Sequence, residues 1–171
     1  MNVKLKQYWN GEPCAEDTRV QLSIEDADDC IRVSVQAPFY DDPPPLDPIG
    51  STPQLWQYEV VEWFVVGQGT PVPYLEVELG PHGHHLALEL RGIRTVVHTH
   101  QSLAYSASIQ GDQWFGTALI PKAWLPAGPY THNAFAIHGV GEHRKYLTLF
   151  PTGGTQPDFH RLHTFQSLEL M

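Results

Sequence analysis

Cysteine and basic residues are scarce in this 171-residue sequence, and each scarcity narrows the class of protein. The two cysteines, Cys14 and Cys30, have no CxxC spacing, so we expect two reduced, buried thiols rather than a disulfide. Only 10 Lys and Arg residues stand against 19 Asp and Glu residues, which gives a formal net charge of −9. That charge repels a phosphate backbone, so the sequence predicts no nucleic-acid partner.

Long apolar runs are also missing. No run approaches the length that crosses a membrane, and the N-terminus lacks the apolar segment of a secretory signal. The composition is 42% hydrophobic and 11% aromatic, which excludes disorder. We therefore expect a soluble, cytoplasmic protein without a membrane partner, folded as a single domain over residues 1–171.

The middle of the chain has the alternation of three consecutive antiparallel strands. Residues 58–66 are mostly β-branched and aromatic, which is typical of a central strand. Residues 74–79 alternate between leucine or valine on one face and tyrosine or glutamate on the other. Residues 84–91 follow a turn, and we expect their leucines to join the same apolar core face.

The rest of the chain repeats the β pattern, with turn signals about every ten residues and no helix of consequence. A proline-rich loop at residues 38–53 is interpreted as a crossover between sheets. These features predict an all-β fold, a two-sheet antiparallel, jelly-roll-like β-sandwich of about eleven strands. Further strands are expected at residues 3–9, 18–24, 31–37, 95–100, 104–110, 113–120, 133–139, 144–150 and 163–170.

The second face of the three central strands collects acidic side chains, and two interpretations of it stay open. If the face is a site, the like charges need relief from Arg91, from His85, from a bound cation or from protonation. If the face is the solvated outer face of a sheet, the like charges need no such relief. Strict alternation places Glu62 among apolar neighbours, so either a bulge is present or Glu62 is an isolated acid. The acidic residues are Glu59, Glu62, Glu76, Glu78 and Glu89.

Several histidines and aspartates have the spacing of metal ligands. His98 and His100 fall on one strand face, which suits a transition metal, although no third ligand follows from the sequence. Asp41 and Asp42, in the proline-rich loop, offer hard oxygen ligands, so calcium is expected before zinc. The sequence has no glycine-rich phosphate loop, no GxSxG elbow and no HExxH helix, and it therefore has no positive signature of catalysis.

Four segments, LWQYEVVE, YLEVELGPHGHHL, NAFAIHG and PDFH, resemble in order those of a family of small intracellular proteins of unassigned function. That family is similar to the β-sandwich superfamily of the family 9 carbohydrate-binding modules and the DOMON-like domains. Family 9 modules carry a tryptophan, an acid three residues on, and then V-E-x-F. The matching positions are Trp56, Glu59, Val61-Glu62 and Phe64.

The resemblance implies roles for two of these residues. Trp56 would stack on a sugar face, and Glu62 would hydrogen-bond sugar hydroxyls. Glu76 stands where family 9 modules have an arginine, and Gln156 is nearest to the position of their second stacking tryptophan. Haem-binding DOMON-like relatives use axial methionine and histidine, and the only methionines here are Met1 and Met171, so haem is not expected.

The resulting prediction is a carbohydrate-binding or polyol-binding module. Its ligand-binding residues are expected to be Trp56, Glu62, Tyr74, Glu76 and Arg91 on one sheet face. One alternative is a glycoside-active enzyme that uses a glutamate pair. Another is a metal-binding structural or interaction protein. The sequence sets no oligomeric state.

Overall fold

Thirteen strands form two antiparallel sheets in the computed structural model, which describes residues 1–170. The strands are β1 (Asn2–Leu5), β2 (Gln7–Tyr8), β3 (Val20–Ala27), β4 (Cys30–Pro38), β5 (Val60–Val66), β6 (Pro73–Leu79), β7 (His85–Arg91), β8 (Val96–His100), β9 (Ala104–Gln110), β10 (Gln113–Pro121), β11 (Tyr130–His138), β12 (Lys145–Thr148) and β13 (Gln166–Leu168). The helices are single 3₁₀ turns at Glu16–Thr18, Leu55–Gln57, Lys122–Trp124, Gly141–His143 and Leu162–Thr164. Within residues 1–170, none of the helices has the length and apolarity needed to cross a membrane.

The small sheet has the strand order β1-β3-β4-β10-β9, and the large sheet has the order β2-β12-β11-β5-β6-β7-β8, with β13 paired to β11. The predicted two-sheet antiparallel sandwich is therefore confirmed, including the adjacency of β5, β6 and β7. The strand expected at residues 3–9 is instead split into β1 and β2, which lie in different sheets. The strand expected at residues 163–170 is also shorter, because the segment begins in the 3₁₀ turn Leu162–Thr164 and only Gln166–Leu168 form a strand.

The proline-rich loop carries the chain from β4 in the small sheet to β5 in the large sheet, as predicted. Glu59 holds this loop, because its carboxylate accepts hydrogen bonds from the backbone N–H groups of Tyr40 at 3.1 Å and Asp42 at 3.4 Å. The Asp42 carboxylate in turn accepts a hydrogen bond from the Gly139 N–H at 2.5 Å. These acidic side chains therefore anchor the crossover.

The main core lies between the two sheets. The small sheet contributes alternating residues of its central strands, such as Val33 and Ile31, and the large sheet contributes Trp63 and Val77. Both cysteines are free, as expected, but only Cys14 is buried in this core, whereas Cys30 is half-buried.

A second apolar cluster covers the outer face of the large sheet, so this sheet is buried on both sides. All seven residues of β5 are buried, which is the mark of a strand without a solvated face. Leu86 and Leu88 pair with Glu78 and Glu76 across β6 and β7, so these leucines lie on the glutamate side. The expectation that the β7 leucines join the inner core is therefore wrong. Ala87 occupies the inner face instead.

Asn133 on β11 connects two strands through its buried side chain. Its amide nitrogen donates to the Phe150 carbonyl at 2.8 Å, and its amide oxygen accepts from the Phe150 N–H at 3.0 Å. The same oxygen accepts the Thr148 hydroxyl at 3.4 Å. This amide therefore gives a partner to the Phe150 N–H just past the end of β12, while the Phe150 carbonyl also accepts the Thr148 hydroxyl at 2.7 Å.

Replacing Asn133 with alanine is expected to lower the free energy of unfolding by about 1–3 kcal/mol, because the Phe150 N–H loses its partner. Urea denaturation measures this loss. Asn10→Ala is the matched control, since exposed Asn10 makes only a local hydrogen bond to the Glu12 N–H. A loss no larger than that of the control would contradict this assignment.

Candidate functional site

A cavity of about 710 Å³ opens on the outer face of the large sheet. Its floor carries Glu62 from β5, Glu76 from β6 and leucines from β7, and its walls come from four connecting segments. Those segments contribute Trp56 and Gln57, Arg94, Arg144, and residues 157–160. The cavity therefore combines apolar leucines with a few polar side chains, which is typical of a small-molecule site.

Three buried glutamates lie together on this face of the sheet, and two of them, Glu62 and Glu76, line the floor of the cavity. Glu62 pairs directly with Glu78 across β5 and β6, and Glu76 is one alternation further along the same face. Glu62 is 2% exposed, Glu76 is 4% exposed and Glu78 is fully buried. Four of their oxygens, one on Glu62, one on Glu76 and both on Glu78, have no hydrogen-bond partner among the described residues. Unpaired buried carboxyl oxygens are costly, so this cluster needs protons or a ligand.

Burial raises the pKa of all three carboxyl groups. Burial raises the pKa of Glu76 to about 7, while Glu78 and then Arg94 act in the opposite direction. The pKa of Glu62 lies well above its ordinary value because of burial and then the charge of Glu76. The pKa of Glu78 is raised by burial and by the charges of Glu62 and Glu76. The backbone N–H of Trp56 lowers the pKa of Glu78 to a smaller extent, although this N–H and the Glu78 carboxyl do not meet the geometry of a hydrogen bond. Near neutral pH the cluster therefore holds protons that ordinary glutamates have lost.

Tyr74 and His160 form a second polar group beside these acids. The Tyr74 hydroxyl accepts a hydrogen bond from the Arg94 N–H at 2.9 Å and lies 2.8 Å from His160 Nδ1. If that hydroxyl donates to Nδ1, the ring proton resides on Nε2, which faces Glu76 Oε2 at 4.0 Å. Burial lowers the pKa of His160 to about 4, so the imidazole is neutral. The 4.0 Å separation is too long for a hydrogen bond.

Arg144 fixes the turn that carries Trp56. Its guanidinium donates to the Gln57 carbonyl at 2.8 Å and also to the Trp56 carbonyl. Trp56 is 41% exposed, whereas its neighbour Leu55 is fully buried and anchors the turn. The indole is therefore held at the wall of the cavity by its backbone and not by burial of its ring.

The segment at residues 157–160 closes the cavity on the other side. Phe159 stacks on Phe135 of β11 with ring centroids 3.9 Å apart. Asp158 accepts hydrogen bonds from Arg94 Nη2 at 2.7 Å and from the His160 N–H at 3.0 Å. The wall is thus assembled by one aromatic stack and one ion pair.

Three of the five predicted ligand-binding residues, Trp56, Glu62 and Glu76, line the cavity. Tyr74 lies behind the lining, where it is buried and bonded to His160. The placement of Arg91 on this face is wrong. Arg91 alternates with Leu90, which belongs to the outer cluster, and its side chain is exposed away from the cavity.

The remaining acids of the predicted cluster are dispersed. Glu59 anchors the crossover loop, and Glu89 faces the other side of the sheet, where it lies 2.8 Å from His100. No bulge separates Glu62 from its β5 neighbours, so it is a buried acid on an apolar face, which is one of the two expected outcomes. The solvated interpretation of this face is wrong, because the cluster is buried.

The predicted metal ligands do not assemble. Among residues 1–170, no three His, Cys, Asp or Glu side chains converge in a way that would hold a metal ion. His98 and His100 are adjacent, with ring centroids 4.6 Å apart, but His100 is stacked on Trp124 and bonded to Glu89. Asp42 is occupied by the Gly139 N–H, and Asp41 is exposed. Calcium binding stays a prediction.

Sequence reasoning missed the two arginines of the cavity, Arg94 and Arg144. Both lie in turns outside any strand, where alternation carries no signal. The closing segment had a signal, because PDFH is one of the four blocks that carry the family resemblance.

Known structures define the class of fold. A candidate carbohydrate-binding protein from Bacteroides uniformis superposes with a TM-score of 0.78 at 16% identity, covering 100% of this chain and 86% of that one. A family 9 carbohydrate-binding module from Caldicellulosiruptor kristjanssonii, in complex with cellotriose, superposes with a TM-score of 0.53 at 11% identity, covering 88% and 72%. Its glucose complex gives 0.52. The protein thus shares the β-sandwich fold of these structures.

Sequence relatives define the family. The chain is 39% identical to the mouse UPF0462 protein C4orf33 homolog over 174 residues, covering 97% of this chain and 90% of the relative. The zebrafish homolog is 38% identical over 178 residues, and the human protein 38% over 175 residues. The chain belongs to the UPF0462 family, and the resemblance noted in its four segments is confirmed. No protein-family model matches the chain.

The raised pKa of Glu76 predicts a pH-dependent effect of Glu76→Gln. A carboxyl whose folded pKa is raised from 4.5 to about 7 favours the folded state at low pH and costs stability as pH rises through that window. The variant lacks this cost, so its free energy of unfolding relative to the parent should rise by about 3 kcal/mol between pH 4.5 and 7.

Urea denaturation of both proteins at several pH values tests this difference, in which the opposing contributions of the buried histidines cancel. Exposed Glu12→Gln is the control and should show a flat difference. A flat difference for Glu76→Gln as well would contradict the assignment.

Proposed function

We propose that the protein binds a small carbohydrate or polyol, without catalysis, in the cavity on the outer face of the large sheet. The observation that carries this proposal is the position of Trp56. Its half-exposed indole stands at the wall of a cavity whose floor holds Glu62 and Glu76, two buried acids with unpartnered oxygens.

A sugar ring matches both features. It offers an apolar C–H face to an aromatic plate and hydroxyl groups to acceptors in a buried site. The cavity combines such a plate with acceptors on Glu62 and Glu76 and an apolar floor at Leu88 and Leu90. Its volume of about 710 Å³ is within the range of small-molecule pockets.

The local sequence likeness adds support. Trp56 and Glu62 match the family 9 tryptophan and glutamate, and the fold brings both of them to one cavity. The sequence lacks the second stacking tryptophan at the expected position, but Phe159, which is stacked on Phe135, contributes an aromatic ring to the cavity lining. Structural neighbours of this fold have been solved with cellotriose and with glucose, and these ligands guide the first probes.

Titration of the protein with glucose, cellotriose and a wider panel of sugars, followed by tryptophan fluorescence, tests the proposal. We expect a saturable change, and Trp56→Ala should weaken binding about tenfold because the stacking plate is lost. Trp9→Phe, which lies outside the cavity, removes an indole without changing the site. No saturable response to any sugar at millimolar concentration would contradict the proposal.

A glycoside-active enzyme is the second candidate function, and one observation favours it. Glu62 and Glu78 face each other across two strands, and the pKa of each is raised by burial, as the general acid of a glycosidase requires. In such an enzyme, the neighbouring Glu76 would act as the general base.

The binding proposal predicts no turnover of aryl glycosides by the parent protein. A chromogenic panel over a range of pH measures this directly. Turnover by the parent that Glu62→Gln abolishes, with sugar binding retained, would replace the binding module with the enzyme. The glutamates would then be catalytic residues.

Two further predictions remain beside these. Calcium at Asp41 and Asp42 of the proline-rich loop is tested by elemental analysis of the purified protein, and retention of no calcium would reject it. The cytoplasmic location expected from the composition is tested by fractionation of cells that express the protein, and recovery outside the cytoplasm would reject it.

A further inference from the structure

The cavity has an imbalance between hydrogen-bond acceptors and donors. Glu62 and Glu76, which line the cavity, each hold one buried carboxyl oxygen without a hydrogen-bond partner among the described residues, and Glu78 is buried beside Glu62. A ligand with a charged donor would pair with the ionised carboxyls and release the protons that they otherwise hold near neutral pH.

The cations of the protein do not serve this purpose. The Arg94 side chain is paired with Asp158 at 2.7 Å, and the Arg144 guanidinium is bonded to the Gln57 carbonyl at 2.8 Å and to that of Trp56. His160 is bonded to Tyr74 through Nδ1, and its Nε2 stays 4.0 Å from Glu76. Each basic group at the wall is thus held by another partner.

A metal ion is a poor match for these acids. In the described part of the chain no three acidic or imidazole groups converge on one point, as a metal site requires. Glu62 and Glu78 stand opposite each other, and Glu76 is displaced along β6. Two of these carboxyl groups are enough for an ammonium group, which donates three hydrogen bonds, whereas a calcium ion needs six to eight oxygen ligands.

We infer that the cavity selects a carbohydrate with a protonated amine, an amino sugar, over a neutral sugar of the same shape. This inference rests on the proposed function. An ammonium group donates up to three charge-assisted hydrogen bonds to the Glu62 and Glu76 oxygens, while the sugar ring keeps its apolar face for Trp56. The net charge of −9 also attracts a cationic ligand.

Calorimetric titration of the parent protein with glucosamine, glucose and N-acetylglucosamine tests the inference, and the third ligand is the matched control because acetylation removes the charge. We expect glucosamine to bind at least about tenfold more tightly than either other sugar. Glu62→Gln should remove most of this advantage, and Glu12→Gln should leave it unchanged.

The outcomes separate this inference from the function on which it rests. Equal affinities for glucosamine and glucose would overturn the inference and keep the carbohydrate site. Binding of none of the three sugars would overturn both. Putrescine, a diamine without a ring, binding as tightly as glucosamine would overturn the selection of a sugar. The comparison on the parent protein needs no variant to fold.

Discussion

Burial of the large sheet on both faces is the constraint on which the site depends. One face of β5 packs in the core between the sheets, and the other packs under a second apolar layer. An acidic side chain on that second face is covered by the apolar layer and is therefore shielded from bulk water. Glu62 is therefore buried by the architecture, and the same holds for Glu76 and Glu78 on β6. Their raised pKa values are a direct consequence.

The second layer is built from connecting segments and not from another sheet. Phe159 and Phe165 pack against β5 and β11, and the Leu55 turn inserts from the opposite side. These segments are joined to the wall of the cavity by two arginines, Arg94 and Arg144, whose charges are satisfied by Asp158 and by backbone carbonyls. The cavity is the gap that these segments leave above the acids. A ligand there would contact the cover and the sheet together.

Much of the fold could be predicted from the sequence, because the central strands alternate clearly. The order of β5, β6 and β7 follows from two short turns, and the face of Glu76 and Glu78 follows from the apolar residues between them. The face of β7 could not be predicted. Leucines alternate with Ala87 and Glu89 on that strand, and apolarity no longer marks the core when both faces are buried.

The site was predictable only in part, for a related reason. Trp56 and Glu62 could be placed from their likeness to family 9 modules, but alternation does not report which distant loop covers a sheet. The ion pair between Arg94 and Asp158 joins residues 64 positions apart, and the Phe159 stack joins the late segment to β11. Such contacts depend on the completed fold. The prediction for Arg91 is wrong because alternation along β7 places Arg91 with Ala87 and Glu89 on the opposite face from Leu88 and Leu90.

The central claim is that a sugar enters the cavity between the Trp56 turn and the buried acids. Indole N–H signals in nitrogen-15 NMR spectra test it most directly, since the chain has five tryptophans and Trp63 and Trp114 are buried in the core. On titration with glucose or glucosamine, the account predicts a saturable shift of the Trp56 indole signal while the signals of Trp63 and Trp114 stay in place. An unchanged Trp56 signal, or a saturable shift confined to Trp9 or Trp124, would contradict it.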